Sequence, residues 1–140
     1  MSTIDPSAAV HTPSPERVAD PRITGAELRT WMDWLGLADR PMGALLGVRP
    51  DTVRRWITGK HPIPYRVGGE LEALDQATGR VVGALVAALG GVRDPGVLVY
   101  RTDEDLWAAG VAPPPWPAAW WRMVVARAAI EVPGLEVEWA

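Results

Sequence analysis

A chain of 140 residues with 48% hydrophobic side chains suffices for one ordinary domain and is too apolar for wholesale disorder. The lack of cysteine excludes disulfides, thiolate metal sites and a cysteine nucleophile, and the sequence holds no run of about 18 apolar residues of the kind that spans a membrane. The net charge of −3 argues against a nucleic-acid partner, but residues 40–66 hold six Arg/Lys against one acid, Asp51, a local +5.

Along the chain, Met1 to Pro21 lacks the basic-then-apolar order of a signal peptide, and its proline, serine and acidic residues predict a mobile arm over 1–22. The protein is expected to be soluble and cytoplasmic. Thr24 to Leu35 reads as a helix: Thr24 and Glu27 have capping-box spacing, and Leu28, Trp31, Met32 and Leu35 share one face before Gly36 ends it. A short helix follows from Asp39 to Leu46, with Pro41 tolerated in its first turn. Gly47 supplies a turn, Pro50 opens a third helix through Ile57, and Thr58-Gly59 closes it.

Val67, Leu71 and Leu74 begin a fourth helix whose period continues through Val81, Val82, Leu85, Val86 and Leu89 to the break at Gly90-Gly91. Val97 to Arg101 is β-like, Thr102 starts a short helix with Leu106 and Trp107, and Pro113-Pro114-Pro115 is a rigid connector. Pro117 to Ile130 forms a helix that is apolar on nearly every side, and Leu135 to Trp139 alternates as an edge strand that could pair with Val97 to Arg101.

Residues 39–57 have the frame of a DNA-reading helix-turn-helix, which needs a small residue where two short helices cross, a tight turn, and an outward polar face on the second helix. Gly43 and Gly47 fill the first two roles. Met42, Leu46, Val48, Val53 and Trp56 form the inward set, and Arg49, Asp51, Thr52, Arg54 and Arg55 are left outward. Arg54 lies about 100° round the helix from Arg55, which points it at phosphate. Asp51 either accepts from cytosine N4 or favours the helix dipole. Tyr65 and Arg66, beside the basic loop, either touch the DNA backbone or minor groove or, for Tyr65, pack at a helix start. Trp31 and Trp56 are expected in the core, with Trp34 partly exposed.

The stretch Leu-Gly-Val-Arg-Pro-Asp-Thr-Val-Arg-Arg-Trp-Ile-Thr-Gly-Lys at 46–60 closely resembles the Cro/phage-repressor type of helix-turn-helix, without a gap across Leu35 to Lys60. The resemblance assigns base reading to Arg49, Pro50, Asp51, Thr52 and Arg55. It assigns backbone contacts to Asp39, Arg40, Lys60 and His61. Asp39 stands where a neutral donor is usual and would repel phosphate, which moves that contact to Arg40, and Pro41 is also a departure. Arginine suits base reading because its fork holds guanine O6 and N7 together, worth about 1–3 kcal/mol of discrimination.

A wider resemblance is to the YdiL-like group, which includes anti-CRISPR-associated repressors. It is carried by Trp-Ile-Thr-Gly-Lys-His-Pro-Ile-Pro at 56–64, Val99-Tyr100-Arg101, and Trp120 with its Ala/Val-rich helix. It implies a helix-turn-helix, a long helix and a C-terminal dimerisation part.

The expected fold is therefore mainly α: a helix-turn-helix bundle over 23–75, then a small, mostly helical dimerisation region over 76–140 with one or two short strands. Trp116, Trp120, Trp121, Val124 and Val125 are the expected dimer surface, because a helix apolar all round must be covered on several sides. The alternative is packing against the 80–89 helix within one chain. His11 and His61 have no ligand cluster around them, so no metal is expected, nor any cofactor or catalytic set. The functional expectation is a homodimeric, phage-related transcriptional repressor that binds double-stranded DNA at an inverted repeat. The alternatives are an antitoxin-like protein-binding module using the Trp-rich half, and an RNA-binding regulator.

Overall fold

The computed structural model describes residues 3–140 of the chain, so Met1 and Ser2 of the expected arm lie outside the described residues. The fold is mainly helical with two short strands. The rest of the arm is not featureless. A 3₁₀ turn at Pro6–Ala9 is capped by Asp5, and a one-turn helix α1, Pro15–Ala19, is capped by Ser14.

Helix α2, Gly25–Leu35, forms where the capping box predicts: the Thr24 hydroxyl accepts from Glu27 N at 3.0 Å and Glu27 accepts from Thr24 N at 3.3 Å. It buries Leu28, Met32 and Leu35, each an i+3 or i+4 step from the next. Trp31, expected in the core, is exposed instead (38%), because those three side chains fill the buried stripe and Trp31 falls on its margin. Helices α3, Asp39–Leu46, and α4, Pro50–Thr58, follow. Helix α5, Arg66–Leu89, is a single element, so the boundary expected after residue 75 falls inside it.

Strand β1, Gly96–Val99, lies parallel to β2, Glu136–Trp139, with Val97 beside Val137 and Val99 beside Trp139. Between them come α6, Asp103–Ala108, and α7, Ala118–Glu131. The Asp103 carboxylate accepts from Ala118 N at 2.8 Å, so the start of α6 fixes the start of α7.

The residues expected to form a dimer surface are core residues of the single chain. Trp120, Trp121, Val124 and Val125 are buried and Trp116 is half-buried. Both buried indoles are satisfied internally: Trp120 Nε1 donates to Thr78 Oγ1 at 3.1 Å, and Trp121 Nε1 donates to the Leu98 carbonyl at 2.8 Å. Trp116 packs on Trp120 at 4.5 Å, and its carbonyl accepts from Trp107 Nε1 at 2.7 Å. The physical reason is that α7 has four neighbours in its own chain, α5, β1, α2 and α6, which together cover a face that no single helix could. One contiguous core results, running from Leu28 through Met42, Val53, Val67 and Leu106 to Ala128. Among the described residues no helix is long and apolar enough to cross a membrane.

Candidate nucleic-acid interface

The site is built on the α3–α4 corner. Gly47 ends α3 with φ +71°, a left-handed conformation that a residue with a Cβ adopts at a cost. Val48 N then donates to the Gly43 carbonyl at 2.8 Å. Gly43 is required by close approach: a Cβ there would lie 2.7 Å from the Val48 backbone oxygen. The chain turns through Arg49, whose carbonyl accepts from Thr52 N and Val53 N at 3.0 and 3.3 Å, and Pro50 enters α4 in its first turn.

Helix α4 buries Val53 and Trp56 and leaves Asp51, Arg54, Arg55 and Thr58 exposed. Of the residues expected to read bases, Arg49, Asp51 and Arg55 are exposed, while Pro50 and Thr52 are half-buried. All five lie at the start of α4 or within its first turn and a half. Beside them runs a cleft of about 530 Å³ lined by Ala38, Asp39, Arg40, Arg49, Pro50, Asp51 and Arg54. It lies between the first turns of α3 and α4, whose N-cap residues, Ala38 and Arg49, make no side-chain cap bond. Pro41 and Pro50 each remove a donor from these helix starts and Thr52 N is bonded to the Arg49 carbonyl, so the cleft is defined by the side chains of Arg40, Arg49 and Arg54 with Asp39 and Asp51 among them. Ala38, at the edge of this cleft, carries no signal in the sequence that would single it out.

The electrostatics are more restrained than the residue count over 40–66. Arg54 Nη2 donates to Asp51 Oδ1 at 2.7 Å, and its Nη1 lies 3.5 Å from Asp39. Arg55 lies 3.5 Å from the other oxygen of Asp51. The Arg54 hydrogen bond, and then the charges of Arg54, Arg55 and Arg49, hold the Asp51 carboxyl below its usual range. The same bond raises Arg54. Arg66, expected on the DNA backbone, is tied to Glu70 at 2.7 Å and donates to the Leu46 carbonyl at 3.3 Å, fastening α5 to the end of α3. Asp39 and Glu70 flank the counted window, and including them lowers the local charge from +5 to +3.

Arg40, Arg49 and Lys60 make no ion pair among the described residues, and all three are exposed, as is His61. Tyr65 is the N-cap of α5 but is 67% exposed, with the Arg22 guanidinium 5.5 Å from its ring centroid. The arm thus comes back to the loop after α4, where Arg17, Asp20, Arg22, His61 and Pro62 line a shallow depression.

A scan against protein-family models finds no match to this chain, and a search of characterised proteins finds none either.

Proposed function

We propose that the chain is a sequence-specific DNA-binding regulator that presents α4 to the major groove. Arg49, Asp51, Thr52 and Arg55 face base edges, with Pro50 shaping the start of the helix. Arg40, Lys60 and His61 meet backbone phosphates. The observation that carries this reading is the division of α4: Val53 and Trp56 anchor it in the core, while Arg54 and Arg55 project from the opposite side of a helix that begins at a glycine-tightened corner. Such a helix is held rigidly and offers only its polar side, as groove reading requires. Repression, and a two-fold dimer on an inverted repeat, extend the same reading through the resemblance to phage repressors.

Arg54 is assigned to phosphate rather than base, since Asp51 and Asp39 hold it toward the cleft at the helix start. A dimer in this reading uses surfaces other than the buried faces of Trp120, Trp121, Val124 and Val125. The same burial takes Trp120, Trp121, Val124 and Val125 out of any antitoxin-like surface, which in the Trp-rich half leaves Trp139 as the exposed tryptophan.

Two measurements test the proposal. Binding to duplex DNA and to a structured RNA hairpin is compared at matched salt, and duplex DNA is expected to bind more tightly. Arg55→Ala is then expected to lose discrimination at one base pair, about 1–3 kcal/mol, while Lys60→Ala weakens all sequences alike and lowers the salt slope by about 1. Equal loss on every DNA sequence from Arg55→Ala would overturn the base-reading role.

A further inference from the structure

The two-stranded sheet has unequal edges. The outer edge of β1 is occupied by α7 side chains: Trp121 Nε1 donates to the Leu98 carbonyl at 2.8 Å and Arg122 Nη1 to the Tyr100 carbonyl at 2.6 Å. Among the described residues no strand lies beyond β2. Glu136 N donates to the Pro95 carbonyl at 3.0 Å and Ala140 N to the Val99 carbonyl at 2.9 Å, so alternation turns the peptide N–H groups of Val137 and Trp139 toward the open edge.

The two faces beside that edge differ chemically. On the α7 side, Val137 and Trp139 are 46% and 48% exposed and border a cleft of about 560 Å³ with Val99, Val125 and Ala126. Arg101 and Arg122 lie over the Trp139 ring at 4.3 and 5.8 Å, which holds the indole in place at the mouth of the cleft. Ile130, one helical turn beyond Ala126, is 85% exposed. On the opposite face, register places Glu136 and Glu138 beside Gly96 and Leu98, and both glutamates are exposed.

We infer that the open edge of β2 takes an extended segment of a partner protein in which basic residues alternate with large apolar ones. Main-chain hydrogen bonds to Val137 and Trp139 add the segment as a third strand. Its apolar side chains enter the cleft over Val137, Trp139 and Ala126, and its Lys or Arg side chains stand opposite Glu136 and Glu138. Charge decides between this occupant and a second copy of β2. Self-pairing with both α7 helices on one face sets glutamate against glutamate, which destabilises a sheet, whereas a basic strand turns the same positions into attractions. The surface is independent of the α3–α4 site and does not depend on the DNA-binding reading.

The test uses the full chain, isotope-labelled, and two capped probe peptides, one alternating Lys and Val and the other alternating Glu and Val. The Lys/Val peptide is expected to shift the amide resonances of Val137 and Trp139 and to bind about tenfold or more tightly than the Glu/Val peptide. Glu136→Lys with Glu138→Lys should reverse that preference. Val137→Pro, which removes an N–H facing only the open edge, should abolish binding with the helical circular dichroism unchanged. Equal binding of the two peptides, binding of neither, or shifts confined to other elements would overturn the inference. So would concentration-dependent protection of the Val137 and Trp139 amides without peptide, which would make a second copy the occupant.

Discussion

The guanidinium of Arg127 lies over the indole of Trp34, 3.7 Å from the ring centroid, and its Nη2 donates to the Trp34 backbone carbonyl at 2.9 Å. Trp34 Nε1 donates in turn to Asp75 Oδ1 at 3.2 Å, and that carboxylate lies 4.0 Å from Arg127. One side chain each from α2, α5 and α7 closes a ring that joins the helices carrying the α3–α4 corner to the second half. The Arg127 side chain is 15% exposed, its Nε is buried without a partner among the described residues, and burial lowers its pKa from the ordinary arginine value.

Arg127→Ala and Trp34→Ala are each expected to lower stability in urea unfolding. Because they remove the same contact, the double variant should lose less than the sum by about 1 kcal/mol. Strict additivity would show that the stacked pair contributes nothing.

Thr78 is fully buried, and its hydroxyl both donates to the Leu74 carbonyl at 2.8 Å and accepts from Trp120 at 3.1 Å. Thr78→Val keeps the shape but strands the indole N–H, at a cost of about 1–3 kcal/mol. Trp120→Ala should cost about 3–5 kcal/mol in thermal unfolding, because the side chain is core of the single chain. Sedimentation of Trp120→Ala as a stable, fully folded monomer would instead restore the tryptophan to a dimer surface.

Asp51 restrains two arginines of α4 in the free protein. Asp51→Asn removes that charge, so affinity for unrelated duplex DNA should rise and the salt slope should steepen by about 1. Fluorescence anisotropy across a salt series measures both. Unchanged binding would mean that Arg54 and Arg55 are already available to phosphate.

Asp20 and Arg22 pin the arm, with Arg22 Nη2 2.9 Å from the carboxylate. The side-chain hydrogen bond from Arg22, followed by the backbone bond from the same residue, lowers the Asp20 pKa from 3.8 to about 2. A folded value below the unfolded one means that the contribution is fully present above the ordinary value of 3.8 and is lost as pH falls through about 2. In an NMR titration the contact of Arg22 with Tyr65 should therefore survive at pH 4 and disappear toward pH 2. Titration of Asp20 near 3.8 would show that the pair does not form in solution.

Signals encoded within a few residues of one another were legible in the sequence. The Thr24–Glu27 capping box, the glycines at 36, 47 and 59, and Pro50 marked helix ends because caps and turns are local chemistry. The pairing of Val97–Arg101 with Leu135–Trp139 was legible as alternation, though not its parallel sense. Relationships set by tertiary packing were not legible. The apolar circumference of α7 could not say whether its own chain or a partner covered it, and α5, β1, α2 and α6 supply that cover. At the candidate site, the outward placement of Arg49 and Arg55 followed from periodicity. The capture of Arg54 by Asp39 and of Arg66 by Glu70 did not, since each acid lies just outside the basic stretch.

If α4 reads duplex DNA as one of a two-fold pair, selection of bound DNA from a random duplex pool should yield a palindromic consensus whose half-site centres lie about 34 Å apart, one turn of the double helix. A pool that emerges without enrichment at physiological salt would contradict that reading.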